Sequence, residues 1–336
     1  MSEENPKSKK DATSSDDLAR RRRRFWLGYG MMLLFLGAFA ALFLPEIARS
    51  KLARARGEVF LYTSQDQVYA EPILKEFEQQ TRIKVRAVYD SEAVKTVGLV
   101  NRLIAERDHP QCDIFWNNEE LRTRQLAAKG VFEKWAAVGH RSRRIAVNTS
   151  KLALSAAPRS LIELTNETWR GRVALAYPLF GTTATHFLAL RQSWSDKRWQ
   201  HWCRALAANK PFLVDGNSVA AQLVAKGEAW LGLTDSDDIA AEQREGASIV
   251  PLPLTEESLL IPNTVAVVRG ARHHQAAEKL YAYLQRSDVL EKLVAAHALE
   301  GVSPSTGAKA TLKPDWDRLV TELEAGTTEL KQIFLR

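Results

Sequence analysis

The 336-residue chain has only two cysteines, Cys112 and Cys203, and no CxxC pair. Its seven histidines are scattered, so the closely spaced Cys/His ligand pairs of a structural zinc site are missing. His273 and His274 are adjacent, but they sit at an expected helix start and should face solvent. The chain also lacks a GxSxG elbow, an HExxH helix motif and a P-loop glycine signature. This removes the commonest hydrolase and nucleotide-binding readings. An excess of positive charge is absent from most of the chain too. The formal charge is +7, but residues 1–56 carry twelve Lys/Arg against six Asp/Glu, which leaves +1 for everything after them. Without a basic footprint, nucleic-acid binding loses its main electrostatic support.

One long apolar run is present. Phe25 to Leu44 is twenty residues without a charge, preceded by five arginines, Arg20 to Arg24. About 20 apolar residues cross a hydrocarbon core, and basic residues stay on the cytoplasmic side. The expectation is a polar, disordered cytoplasmic tail (1–24), an uncleaved transmembrane signal anchor (25–44), a linker (45–56) and an extracytoplasmic body. Ala38-Phe39-Ala40 has the form of a signal-peptide cleavage site, but the apolar run continues past it to Leu44.

In the body, four short apolar runs each stop at a small polar cluster before a helical pattern begins. Val59–Thr63 ends in SQDQ (64–67), Cys112–Trp116 in NNE (117–119), Arg172–Tyr177 precedes GTT (181–183), and Ala229–Thr234 runs into TDSDD (234–238). In open α/β sheets ligands bind outside the carboxyl ends of strands, where helix N-termini converge. The alternation predicts a largely parallel sheet covered on both faces. TVAVVRG (264–270) has no place in the second unit and is read as returning to the first. Two crossings, Arg143–Asn148 and Leu260–Thr264, then make a hinge. The expected division is lobe 1 from 57–148 plus 262–305, lobe 2 from 149–261, and a C-terminal helical segment at 306–336. Cys112 and Cys203 fall in different lobes and should stay unpaired as buried hydrophobes.

The segments LYTSQDQVYAEPILKEFEQQTRIKV, DIFWNNE, PRSLIELTNETWRGRVALAYPLFGTT, GEAWLGLTDSDD and IPNTVAVVRGARHHQAAEKLYAYL together resemble, in order and spacing, the type II solute-binding proteins of bacterial ABC transporters. The likeness is strongest to the ferric-ion-binding group. It implies an α/β, two-lobed type II periplasmic-binding-protein fold with a hinge, here preceded by one transmembrane helix. It also implies lobes that close over a ligand and hand it to a membrane permease. The expectation is a monomer that is no enzyme, with no cofactor other than a bound metal ion, iron, as transported ligand. Where that group has adjacent tyrosines as iron ligands, this chain has Asp237 and Asp238, with Asp235 just before them. A histidine common after the first strand of that group is replaced by Asp66. Iron(III) therefore does not carry over directly, although carboxylates suit hard cations.

The expected ligand contacts are Ser64, Gln65, Asn117, Asn118, Gly181, Thr182 and Thr183. Asp66, Glu119, Asp235, Asp237 and Asp238 are expected to face a metal or cation. Each cluster also has an ordinary use as a turn or helix cap. TDSDD is no EF-hand, because positions six and twelve from Asp235 are Ala240 and Gly246. The leading solute is a metal or oxyanion-type ligand, ferric iron with a chelator being one instance. Alternatives are a small organic anion or cationic metabolite, a carboxylate-dependent hydrolase using Asp66, Glu119 and Asp235, or a membrane-tethered sensor.

Overall fold

The computed structural model describes residues 57–90, 97–303 and 312–335. The expected tail, anchor and linker lie outside the described residues, as does Ser91, expected to cap a helix. Among the described residues no helix is long and apolar enough to cross a membrane.

The first elements are β1 (Glu58–Thr63), α1 (Gln67–Thr81), β2 (Lys84–Tyr89), α2 (Val97–Ala105), β3 (Ile114–Asn117), α3 (Glu120–Ala128) and β4 (Phe132–Asn148). After short 3-10 turns come β5 (Val173–Ala176), α4 (Gly181–Ser193), α5 (Asp196–Ala208), β6 (Phe212–Val214), α6 (Asn217–Ala225), β7 (Leu231–Asp235) and α7 (Ser236–Arg244). The chain closes with β8 (Ile249–Pro251), β9 (Leu260–Val268), α8 (His274–Leu284), α9 (Ser287–Ala295) and α10 (Trp316–Phe334).

The strand order is β2-β1-β3-β9-β4-β7-β5-β6, with β8 also on β4. β1 pairs in parallel with β2 and β3, and β5 with β6 and β7. All pairings of β4 and β9 are antiparallel. The expectation of a largely parallel sheet is thus corrected. Strands carrying the chain out of one lobe and back must run against each other, so the middle of the sheet is antiparallel. As expected, the TVAVVRG segment returns to the first lobe, where β9 lies between β3 and β4.

Alternation along the strands builds a layer on each face. In the first lobe Val59, Leu61, Ile114, Trp116, Val265 and Val267 pack on the α1, α8 and α9 side. Tyr62, Phe115, Ala266 and Val268 pack with Leu99, Leu103 and Leu126 on the other. In the second lobe Val173, Leu175, Leu231 and Leu233 meet α4, α5 and α10. Ala146 and Ala174 meet Ala220, Val224 and Ile239. Trp116 is therefore a core residue. Trp199 and Trp202 pack in the second-lobe core, their indole N–H groups donating to the Phe187 and Leu161 carbonyls at 2.7 and 2.8 Å. Cys112 and Cys203 are free and buried, in separate cores of the two lobes.

β4 is the element that organises the cleft. The sequence reading began a strand at Arg143, whereas β4 begins at Phe132 and runs through to Asn148. Its register on β9 slips between Val138 and His140. Gly139 occupies that bulge at φ +59°, where a Cβ would sit 2.8 Å from the Gly301 carbonyl, so only glycine fits. Beyond it, Ser142 still pairs with Leu260 of β9, and Arg143 pairs with Asp235 of β7. The change of partner places Arg141 and Arg143 where the lobes meet.

α10 buries Leu319, Leu323, Leu330 and Phe334 in the second-lobe core. Leu188 fills the notch at Gly326, which leaves no room for a side chain. From α3 of the first lobe, Arg124 lies over the rings of Trp135 and Trp316. It also reaches Asp317 at 3.4 Å, so the C-terminal helix touches both lobes.

Candidate functional site

Arg141 and Arg143 are two apart on β4, so their side chains leave the same face of the strand. Both are buried, 3% and 1% exposed. Arg141 Nη1 donates to Asp237 Oδ2 at 2.6 Å and lies 3.4 Å from Asp235 Oδ2. Its Nη2 donates to the Asn118 carbonyl at 2.8 Å, linking the lobes. Arg143 Nη1 donates to Asp235 Oδ1 at 2.8 Å and to Asn217 Oδ1 at 2.8 Å. Thr182 Oγ1 adds a 2.7 Å bond to Asp235 Oδ2. Two guanidiniums and a hydroxyl therefore already occupy the Asp235 carboxylate.

These partners set the ionisation of the acids. Burial pushes the Asp235 carboxyl up, but Arg143 and Arg141 outweigh it and hold the group below the usual carboxylate range. Asp237 is pushed up to about 6, first by burial and then by Asp235 and Asp66, against the pull of Arg141. Burial lifts Glu119 to about 7 although Arg122 opposes it. Arg141 keeps its charge firmly. Burial works against it, and Asp237, Asp235 and Asp238 more than compensate.

Three helix N-termini face one small cavity of about 40 Å³, walled by Asn118, Arg141, Tyr177, Phe180, Gly181 and Thr182 from one side and Asp215, Gly216, Asn217, Asp235 and Asp238 from the other. They belong to α4, α6 and α7. Their N-caps are Phe180, Gly216 and Asp235, and in none does the side chain cap the first turn. Elsewhere α3, α5 and α10 are capped by Glu119, Ser195 and Asp315, whereas the N-cap side chains of α1, α8 and α9 also make no cap bond. An uncapped first turn can present backbone N–H donors and the positive end of the helix dipole to an anion; at α7 the first turn already carries the carboxylates of Asp237 and Asp238. The cavity opens toward a larger one of about 580 Å³, which shares Tyr177, Phe180 and Asp215 and adds Arg122, Thr328 and Lys331.

Of the residues read from the sequence, Asn118, Gly181, Thr182, Asp235 and Asp238 line the small cavity. Thr183 stands behind it, its hydroxyl bonded to Asn217 Oδ1 at 3.0 Å. Asp237 reaches the site through Arg141, and Asp66 acts on Asp237 through space. Ser64 and Asn117 are turned into a closed turn network. The Ser64 hydroxyl donates to Asn117 Oδ1 at 2.6 Å and accepts from the Asn118 N–H at 2.9 Å. Asn117 Nδ2 donates to the Glu119 carbonyl at 2.6 Å. Glu119 caps α3 through the Arg122 N–H and accepts from Thr185 of the other lobe at 3.4 Å. Gln65 is buried, and its Nε2 has no hydrogen-bond partner.

Sequence reasoning missed Arg141, Arg143, Tyr177, Phe180 and Asn217. The arginines had a signal, a period-2 pair in HRSRR at the crossing itself. The carboxylate oxygens of Asp235, Asp237 and Asp238 all lie within 4.8 Å of one another, a spacing a cation can bridge. In this cluster, however, Arg141 and Arg143 supply positive charge at hydrogen-bond distance.

The profile of the bacterial extracellular solute-binding protein family matches residues 58–297. The chain belongs to that family. This solute-binding protein is 22% identical over 299 residues to the major ferric iron-binding protein of Neisseria gonorrhoeae, covering 81% of this chain and 87% of that one. Its fold matches iron-bound HitA from Pseudomonas aeruginosa with a TM-score of 0.70 at 18% identity, over 82% of this chain and 99% of the other. It also matches AfuA from Actinobacillus pleuropneumoniae, solved with exogenous fructose-6-phosphate bound, with a TM-score of 0.67 at 19% identity, over 83% and 97%. The two-lobed fold is shared by one structure with iron bound and one with a sugar phosphate bound.

Proposed function

We propose that this solute-binding protein captures a small organic anion by its oxyanion head, a phosphate ester or a carboxylate, and delivers it to an ABC permease in the membrane. The observation that carries this reading is the meeting of three uncapped helix N-termini with the Arg141 guanidinium at one cavity. The Arg141–Asp237 and Arg143–Asp235 pairs cancel one another while Asp215 and Asp238 add negative charge to the cavity wall, so in this reading the anion is held by backbone N–H groups, helix dipoles and the Arg141 guanidinium. A volume of about 40 Å³ suits a head group, and the adjoining 580 Å³ space takes the body of the solute. Arg122 and Lys331 there favour a second acidic or hydroxylated part.

Lobe closure accompanies capture in this account. Glu119 and Tyr69 of the first lobe contact Thr185 and Arg244 of the second, which supports closure about β4 and β9. The protein acts as a monomer held by the 25–44 segment, with its cleft outside the cytoplasm. A metal–anion complex is the second reading, supported by the clustered oxygens of Asp235, Asp237 and Asp238.

A thermal-shift series on the full chain tests these readings with fructose 6-phosphate, inorganic phosphate, sulfate and ferric citrate. A ligand at 100 times its Kd stabilises by about 2.7 kcal/mol. Stabilisation by the phosphate ester without metal supports the organic-anion reading. Stabilisation by ferric citrate alone, with iron retained in elemental analysis, rejects it.

A further inference from the structure

Outside the cleft, Glu133, His274 and Glu278 gather on the first lobe, where the start of β4 meets the first turns of α8. His274 and Glu278 are four residues apart on α8 and share one face of it. Glu133 comes from a bulge, because the register of β4 on β9 slips between Phe132 and Lys134. In a regular strand Glu133 and Lys134 would point to opposite faces, but an extra residue re-aims a side chain. Both therefore reach α8: Glu133 Oε2 lies 3.1 Å from His274 Nε2, and Lys134 Nζ donates to Glu278 Oε2 at 2.5 Å.

The second oxygen of Glu278, Oε1, is shielded from solvent and has no hydrogen-bond partner. It stands against the imidazole, 3.8 Å from His274 Nε2, which is too far for a hydrogen bond. One oxygen of each carboxylate and the imidazole nitrogen all lie within 4.8 Å of one another. Donors bound to a tetrahedral zinc ion at about 2.0–2.1 Å are themselves about 3.3 Å apart. The 3.1 and 3.8 Å separations bracket that spacing, so small side-chain rotations bring the three atoms onto one ion. A neutral imidazole with two carboxylates carries two negative charges. Lys134 offsets one of them, which leaves a net attraction for a divalent cation.

We propose that Glu133, His274 and Glu278 form a zinc site on the outer face of the first lobe. His274 Nε2, Glu133 Oε2 and Glu278 Oε1 are the three protein ligands, and water takes the fourth position. The imidazole sets the preference, since nitrogen donors suit zinc whereas magnesium favours oxygen alone. Lys134 holds Glu278 Oε2 and so keeps Oε1 turned to the metal, the kind of outer contact that orients a ligating carboxylate. A bound ion ties the start of β4 to α8 within one lobe, and the site stands independently of what the cleft carries.

Calorimetry with zinc and an absorption titration with cobalt(II), both on the full chain, decide it. Zinc should bind, and His274→Gln and Glu133→Gln should each weaken that binding at least tenfold. The two side chains are 50% and 44% exposed, so neither change disturbs the core, and unfolding without metal should be the same in all three proteins. Cobalt should give the visible absorption of a tetrahedral ion, lost in His274→Gln, which a site of carboxylates alone would not lose. Magnesium at the same concentration should not displace zinc. No zinc binding at about 100 times the protein concentration overturns the proposal, as does an affinity unchanged in both variants. The second of these is the result expected if zinc goes instead to the Asp235, Asp237 and Asp238 cluster. Sulfate failing to bind the wild-type protein while zinc binds rejects the cleft reading alone.

Discussion

Arg141 Nη1 lies 2.6 Å from Asp237 Oδ2, and this ion pair is buried at the point where β4 changes partners between the lobes. Removing one member of such a pair leaves an uncompensated charge in a poorly solvated place, which costs roughly 3–5 kcal/mol. Arg141→Ala should therefore lower unfolding stability by that order, since it strands Asp237 and removes one of the two guanidiniums beside Asp235. Asp237→Asn should cost much less, because an amide oxygen still accepts from the guanidinium. Urea unfolding of the three proteins checks this. Equal losses for the two variants would contradict a charge-pairing role for Arg141.

Phe180 is the N-cap of α4 and is 36% exposed at the cleft cavity. Phenylalanine is a poor cap, whereas Asp satisfies a first-turn N–H and suits the dipole. A residue that breaks a local rule at a cavity points to function. Phe180→Asp should raise stability by about 1 kcal/mol and weaken sulfate or phosphate binding at least tenfold, since the new carboxylate sits in the anion position. Denaturation and calorimetry on one preparation measure both effects. Unchanged anion affinity would move the site away from α4.

Acidification should strengthen anion binding. Glu119 is pushed up to about 7 and Asp237 to about 6, chiefly by burial, so both lose negative charge between pH 8 and 5.5. Sulfate is the suitable probe because it does not titrate in that range. Its affinity should rise several-fold, and Glu119→Gln should flatten the slope. The same two groups act on stability. Unfolded carboxyls titrate near 4, below the folded values, so their contribution is fully present below pH 4 and lost as pH rises through 6 to 7. For Glu119 alone the contribution is on the order of 3 kcal/mol. Urea midpoints from pH 5 to 8 should therefore fall, less steeply in Glu119→Gln.

The lobes were legible because their strands are short apolar runs, as in Val59 to Thr63, and because turn chemistry marks each carboxyl end. The long β4 was not. Gly139 interrupts it, and His140 to Arg144 is an unbroken polar run, so the sequence reads as strand only from Arg143 onward. Only the tertiary structure reveals that Asp235 and Asp237, far along the chain, neutralise Arg141 and Arg143 and so allow them to be buried. The same pairing explains the acids. Taken alone, TDSDD is a concentration of negative charge that invites a cation. Beside two guanidiniums it is their counter-charge. Thr182 and Gly181 were readable as a helix start with an anion-binding capacity, whereas Phe180 before them has no polar side chain and gives no binding signal. Asn217 was readable as a helix start, but its convergence with α4 depends on β5, β6 and β7 lying side by side.

The central claim is that an oxyanion sits where the N-termini of α4, α6 and α7 meet. Crystals of the protein grown with tungstate test it most directly, because tungsten is located by its anomalous scattering. The account predicts one strong peak within hydrogen-bonding reach of the Thr182 and Asn217 backbone N–H groups and of Arg141. A cleft without that peak, together with a metal bound among Asp235, Asp237 and Asp238 in crystals soaked with ferric citrate, would contradict it.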